Sequence, residues 1–164
     1  QSLLARRVQS QQFTYQVSLG FQPQSFQQMA GLVAYYNTGH YLYFHVAGDE
    51  KGTCRWLQLI ISDNFQVSEP YPPVKLPGKG VLQLGVRWAY AQLSFFYCLE
   101  EGAVIAYPGQ YDGSILSDDH VREGSERYRP AFTGAFVGIA CQDLSGRRIA
   151  ADFYSLSYEE GLNA

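Results

Sequence analysis

Paired acids, three histidines and an abundance of aromatic rings are the groups in this chain that could do chemistry. Asp49-Glu50, Glu100-Glu101, Asp118-Asp119 and Glu159-Glu160 are adjacent in sequence. Hydrolysis of a glycosidic bond needs two carboxyls facing each other across about 5–9.5 Å, whereas neighbours on a strand point to opposite faces. These pairs therefore read as solvated charges at turns and strand ends. Asp143 and Asp152 differ, because they lie in or beside apolar strands where an acid is expected to have a partner. A turn contact or an ion pair with Arg147 or Arg148 is the plain reading. Calcium ligation is the functional one, since a hard cation gathers several oxygens; no other cofactor is expected. His40, His45 and His120 share no helical or strand face at ligand spacing, and His45 reads as a hydrogen-bonded strand residue with sugar contact as the alternative.

Motifs that encode a fixed backbone geometry for catalysis are absent: there is no GxSxG elbow, no dinucleotide or phosphate-binding glycine loop and no HExxH helix. Pro77-Gly78-Lys79-Gly80 reads as a turn. What remains is binding. A sugar ring packs its C–H face flat on an aromatic ring, while its hydroxyls need fixed donors and acceptors. Trp56, Trp88 and the stretch GLVAYYNTGHYLYFHV at 31–46 supply both kinds of group.

The elements that position these residues are strands. FTYQVSLGF at 13–21 alternates without a fault, with Phe13, Tyr15, Val17, Leu19 and Phe21 on one face. Further strands are predicted at 28–37, 41–47, 54–62, 80–88, 92–98, 103–107, 135–143 and 149–158, separated by turns such as Asn37-Thr38-Gly39. The first dozen residues read as an incomplete strand or a lead-in. The polar segment 108–134 reads as a long connection with one helical turn after Ser117, a place where function often sits. In the 31–46 hairpin, alternation puts Tyr41 and Tyr43 on a face with His45, offered to a ligand or partner, and turns Leu42, Phe44 and Val46 into the core.

With 164 residues, 46% hydrophobic and only 16% charged, and with 13 Tyr, 10 Phe and 16 Gly, the chain suits one all-β domain, a sandwich of short strands with tight turns. A formal charge of −3 with scattered basic residues offers no stripe for nucleic acid. No run approaches the roughly 20 apolar residues of a membrane span. Cys54, Cys98 and Cys141 are odd in number and far apart, so three reduced, buried thiols are expected. Together with the lack of a signal-peptide pattern, they favour a cytoplasmic over a secreted location.

SLLARR at 2–7, FQQMAGLVAYYNT at 26–38, SILSDDHVREG at 114–124, FTGAFVGIACQDLSG at 132–146 and ADFYSLSYEE at 151–160 resemble, in order and spacing, the C-terminal β-sandwich of bacterial glycoside hydrolase family 43 β-xylosidases. The resemblance covers nearly the whole chain. It implies a concanavalin A-like jelly roll of two antiparallel sheets, residues 1–164 forming one module excised from a larger hydrolase whose absent N-terminal five-bladed propeller carries the catalytic carboxylates. No catalytic residue is therefore expected here, and an upstream strand of the sandwich is expected to be missing or supplied by another segment. In the family, the block around FTGAF sends a loop toward the propeller's pocket, often with an aromatic pair. Here Phe132 matches the second aromatic and Ala131 stands in place of the first, with Tyr128 nearby.

Two functions follow from that resemblance. One is a non-catalytic module binding xylan or xylo-oligosaccharide through Tyr41, Tyr43, Trp56, Trp88, Tyr128 and Phe132, with Asn37, Gln28, His45, Arg122 and Asp143 as polar companions. The other is a structural accessory domain that packs on the propeller and shapes its pocket without binding sugar itself.

Overall fold

Alternation in β2 (Gln12–Gly20) sets the pattern of the whole molecule. Phe13, Tyr15, Val17 and Leu19 are buried in the core, and the residues between them lie on the opposite face. The computed structural model describes residues 1–100, 102–123 and 131–161. The larger sheet runs β1 (Ser2–Arg7), β12 (Phe136–Asp143), β3 (Gln28–Asn37), β4 (His40–Gly48), β5 (Arg55–Asp63), β6 (Gln66–Ser68), with β7 (Val74–Leu76) also paired to β5. The smaller runs β10 (Val104–Ala106), β9 (Gln92–Leu99), β8 (Val81–Ala89), β2, β13 (Asp152–Glu160), with β11 (Tyr111–Asp112) also on β9. Each of these pairings is antiparallel. This is the expected two-sheet sandwich.

The sheets bury their facing sides against each other. Leu32, Leu42, Phe44, Val46, Leu57 and Leu59 from the larger sheet meet Phe13, Val17, Leu84, Val86 and Phe95 from the smaller. Phe44 lies 5.2 Å from Phe95 across the gap and 5.0 Å edge-on to Tyr107. Each such side chain contributes about 1.5–3 kcal/mol relative to exposure, so burial here fixes the register: slipping a strand by one residue would turn its apolar set outward.

The end of the sandwich next to the β3–β4 turn is closed by a 3-10 turn at Gly113–Leu116 and by α1 (Asp118–Glu123). Ile115, Leu116 and Val121 insert into the core from this side. The long polar connection is thus a cap with its own apolar anchors, and the helical turn expected after Ser117 is α1. The first residues, read as an incomplete strand or lead-in, form β1 and pair with β12 from Ser2 to Arg7. Strands β6, β7 and β11 escaped sequence reading because they are two or three residues long, and the proline-rich stretch at 70–77 follows β6 and contains β7. The three cysteines are free, as expected, but partly exposed instead of buried.

Pro77-Gly78-Lys79-Gly80 is a turn, and Arg55 explains its shape. The buried Arg55 guanidinium donates to the carbonyls of Pro77 (2.8 Å), Lys79 (2.7 Å), Gly80 (2.8 Å) and Phe21 (3.1 Å). Burial lowers its pKa, with Glu100 opposing the shift.

Candidate functional site

β4 carries the residues singled out in the hairpin. Leu42, Phe44 and Val46 are in the core, and Tyr41, Tyr43 and His45 lie on the outer face of the larger sheet, opposite Ser62, Ile60 and Gln58 of β5 and Tyr35, Val33 and Gly31 of β3. Facing outward does not leave them exposed. Tyr43 is 7% and His45 1% accessible. Opposite His45, a Cβ at Gly31 would collide with the Phe44 carbonyl and the His45 backbone, so β3 and β4 approach closely at that point. Tyr43 reaches past β3 and donates its hydroxyl to the Ala140 carbonyl on β12 at 2.9 Å.

The ring of His45 stacks on Tyr43 at 4.6 Å and 18°, and its Nδ1 lies 3.1 Å from the Tyr43 carbonyl. Burial lowers the His45 pKa to about 4 and raises that of the Tyr43 hydroxyl. Both are therefore neutral at ordinary pH, and the Tyr43 hydroxyl already has a partner. Beside them runs a groove of about 310 Å³ lined by Leu3, Met29, Val33, Tyr35, Tyr41 and Ile60 among others. A second depression, on the other side of His45, is lined by Phe26, Trp56, Gln58 and Glu69.

The other candidates have structural tasks. Trp88 is a core residue stacked on Phe13 at 5.4 Å, its indole donating to the Tyr90 carbonyl at 2.7 Å. Gln28 is fully buried; it accepts from Gln24 N at 2.6 Å and donates to Ser145 Oγ at 2.8 Å. Asn37 accepts the Gly39 N–H at 2.8 Å and so shapes the β3–β4 turn. Asp143 resolves as a turn contact: it accepts from Ser145 N, Ser145 Oγ and Ile149 N, and these bonds lower its pKa to about 2. Asp152 is an exposed residue at the start of β13. Tyr128 lies outside the described residues.

Phe132 and Arg122 come together at the capped end, with the guanidinium 5.8 Å from the ring centroid. Phe132 is 68% exposed, whereas the preceding Ala131 is buried in the core. Asp118 of α1 holds the segment in place. Its Oδ1 accepts the Tyr36 hydroxyl at 2.5 Å and the Gly134 N–H at 3.1 Å. Sequence reasoning missed a cluster at the same end. His40 and His120, which share no element, converge on Asp63, with His120 Nε2 2.7 Å from Asp63 Oδ1. Spacing along single elements could not show this, because the fold brings the three residues from β4, β5 and α1.

Comparison with known proteins accounts for this architecture. Residues 1–159 match the family described as the beta-xylosidase C-terminal concanavalin A-like domain. The chain belongs to that family. The β-xylosidase of Bacillus subtilis is 38% identical to it over 98% of the chain, and a putative β-xylosidase of Escherichia coli 34% identical over 97%. The crystal structure of a xylan β-1,4-xylosidase from Bacillus halodurans superposes on 98% of the chain with a TM-score of 0.89 at 36% identity. The chain spans 29% of the length of the first two proteins and 30% of the third.

Proposed function

We propose that this β-xylosidase C-terminal domain is a non-catalytic accessory module that packs on a family 43 catalytic propeller and shapes the entrance to its active site. The observation that carries this reading is Phe132, an apolar ring held in solvent by a segment anchored on both sides, through buried Ala131 and through the Gly134–Asp118 contact. An exposed aromatic on a braced support loses little conformational freedom on docking, which suits an interface or a pocket wall. The buried positions of Trp88, Tyr43, His45 and Gln28 support it too, since they remove four of the residues a sugar platform would have used.

The test is Phe132→Ala in an intact enzyme carrying this module. A changed KM or kcat on aryl xyloside, with the fold of the module intact, is expected; unchanged kinetics would sink the reading.

A second reading, direct binding of xylan or xylo-oligosaccharide, is favoured by the groove beside Tyr35 and Tyr41. Its volume is at the lower end of small-ligand sites, and it combines ring faces with hydroxyls. Calorimetry of the 164-residue chain against xylo-oligosaccharides, with Tyr41→Ala as control, decides this. Heat of binding lost in the variant would establish the groove as a sugar site.

A further inference from the structure

We propose that His40, Asp63 and His120 form a site for a divalent transition metal of the zinc type. The residues come from the start of β4, the end of β5 and the middle of α1. Their ligating atoms all lie within 4.8 Å of one another, with Asp63 Oδ1 3.7 Å from His40 Nε2 and 2.7 Å from His120 Nε2. Ligands at about 2.0–2.1 Å from a tetrahedral zinc stand roughly 3.3 Å apart. The cluster is close to that spacing. His120, 35% accessible, is the side chain with room to adjust.

The hydrogen bonds around His40 favour ligation. Asn37 Oδ1 already accepts the Gly39 N–H, which identifies it as the amide oxygen, and His40 Nδ1 lies 3.0 Å from the same atom. That nitrogen must therefore donate. In the neutral ring the lone pair is then on Nε2, the nitrogen that lies 3.7 Å from Asp63 Oδ1. A histidine whose second nitrogen donates to a carbonyl-type oxygen is also the usual form of a metal ligand, with tautomer and ring orientation both fixed.

Two imidazoles and one carboxylate suit zinc and its first-row neighbours, whereas calcium takes six to eight oxygens. The ion would replace the proton that His120 Nε2 shares with Asp63 and leave a fourth position to water. It would tie the β3–β4 turn, the end of β5 and α1 into one unit. Because α1 carries Asp118, the brace of the Phe132 segment would stiffen with it.

The experiment is a titration of the chelator-stripped 164-residue chain with Co²⁺ and Zn²⁺. Visible absorption of nitrogen- and oxygen-bound Co²⁺ at one equivalent, displaced by Zn²⁺, is expected, together with a Tm that rises with Zn²⁺ concentration. His120→Ala and Asp63→Asn, both at partly exposed positions, should each weaken binding by at least about 100-fold, beyond the roughly 10–100-fold seen for outer-shell changes. Circular dichroism would verify that the two variants fold. Absence of one-equivalent binding at micromolar ion, affinity unchanged in both variants, or a sulfur-to-cobalt charge-transfer band placing the ion on a cysteine would each overturn the proposal.

Discussion

The Tyr36 hydroxyl, at the end of β3, donates to Asp118 Oδ1 on α1 over 2.5 Å, and the same oxygen receives the Gly134 N–H. One carboxylate oxygen thereby joins the larger sheet, the capping helix and the segment that follows Phe132. Burial, then the Asp118 bond, raises the Tyr36 pKa. Tyr36→Phe removes a hydrogen bond to a charged acceptor and should lower stability by about 1–2 kcal/mol. Urea denaturation measures the loss, and limited proteolysis should show earlier cleavage near Gly134.

His45 gives the domain an acid-side weakness. Its folded-state pKa of about 4 lies below the ordinary 6.5, so between those values the unfolded chain binds a proton that the folded chain does not. Stability therefore falls as pH drops through that window and levels off below it, by up to about 3 kcal/mol from this residue. In His45→Gln the fall between pH 6.5 and 4 should be shallower, as read from urea midpoints at several pH values. A slope equal to that of the parent chain would contradict the assignment.

Arg55 holds four main-chain carbonyls. Arg55→Met keeps much of the aliphatic volume and leaves those acceptors without their charged donor. A loss of roughly 3 kcal/mol is expected, since each buried acceptor left unsatisfied costs about 1–3 kcal/mol and water can reach some of them. Arg55→Lys should recover only part of it, because an ammonium cannot span the same fork.

Gly31→Ala should destabilise the chain by about 3 kcal/mol or prevent folding, because the new methyl group meets the β4 backbone, which cannot yield without opening the ladder. If the variant melts with the parent, the close approach of β3 and β4 at Gly31 is contradicted.

Phe132→Ala is expected to leave the isolated domain within about 0.5 kcal/mol of the parent, as for exposed positions generally. Its effect should appear only when the catalytic domain is present, so the same substitution is silent in a melt and visible in kinetics.

Much of the fold was legible in the chain. The alternation of β2 and the Asn37–Gly39 turn are local signals, and five blocks of family resemblance placed them in a known sandwich. The candidate site was legible only in part, for reasons the structure makes specific. Alternation places Tyr43 and His45 outward correctly, yet both are buried there, with Tyr43 reaching past β3 to a carbonyl on β12, a contact between residues 97 positions apart. Trp88 is a strand aromatic whose face depends on register, and the register puts it in the core. Ala131, read as the place of a lost aromatic, is an inward-facing anchor. His40, Asp63 and His120 lie on three elements, so no periodicity could have united them.

The last two strands are integral to both sheets: β12 fills the place between β1 and β3, and β13 pairs along β2 from Gly20 to Phe13. On a ribosome, where the chain appears from its N-terminal end, β1 would wait for a partner that begins only at Phe136. Loops of that span form slowly, and open sheet edges in the meantime recruit other chains. The domain should therefore gain its structure in one late step, after the residues of β13 have left the exit tunnel, and nascent chains arrested before β12 should be sensitive to protease.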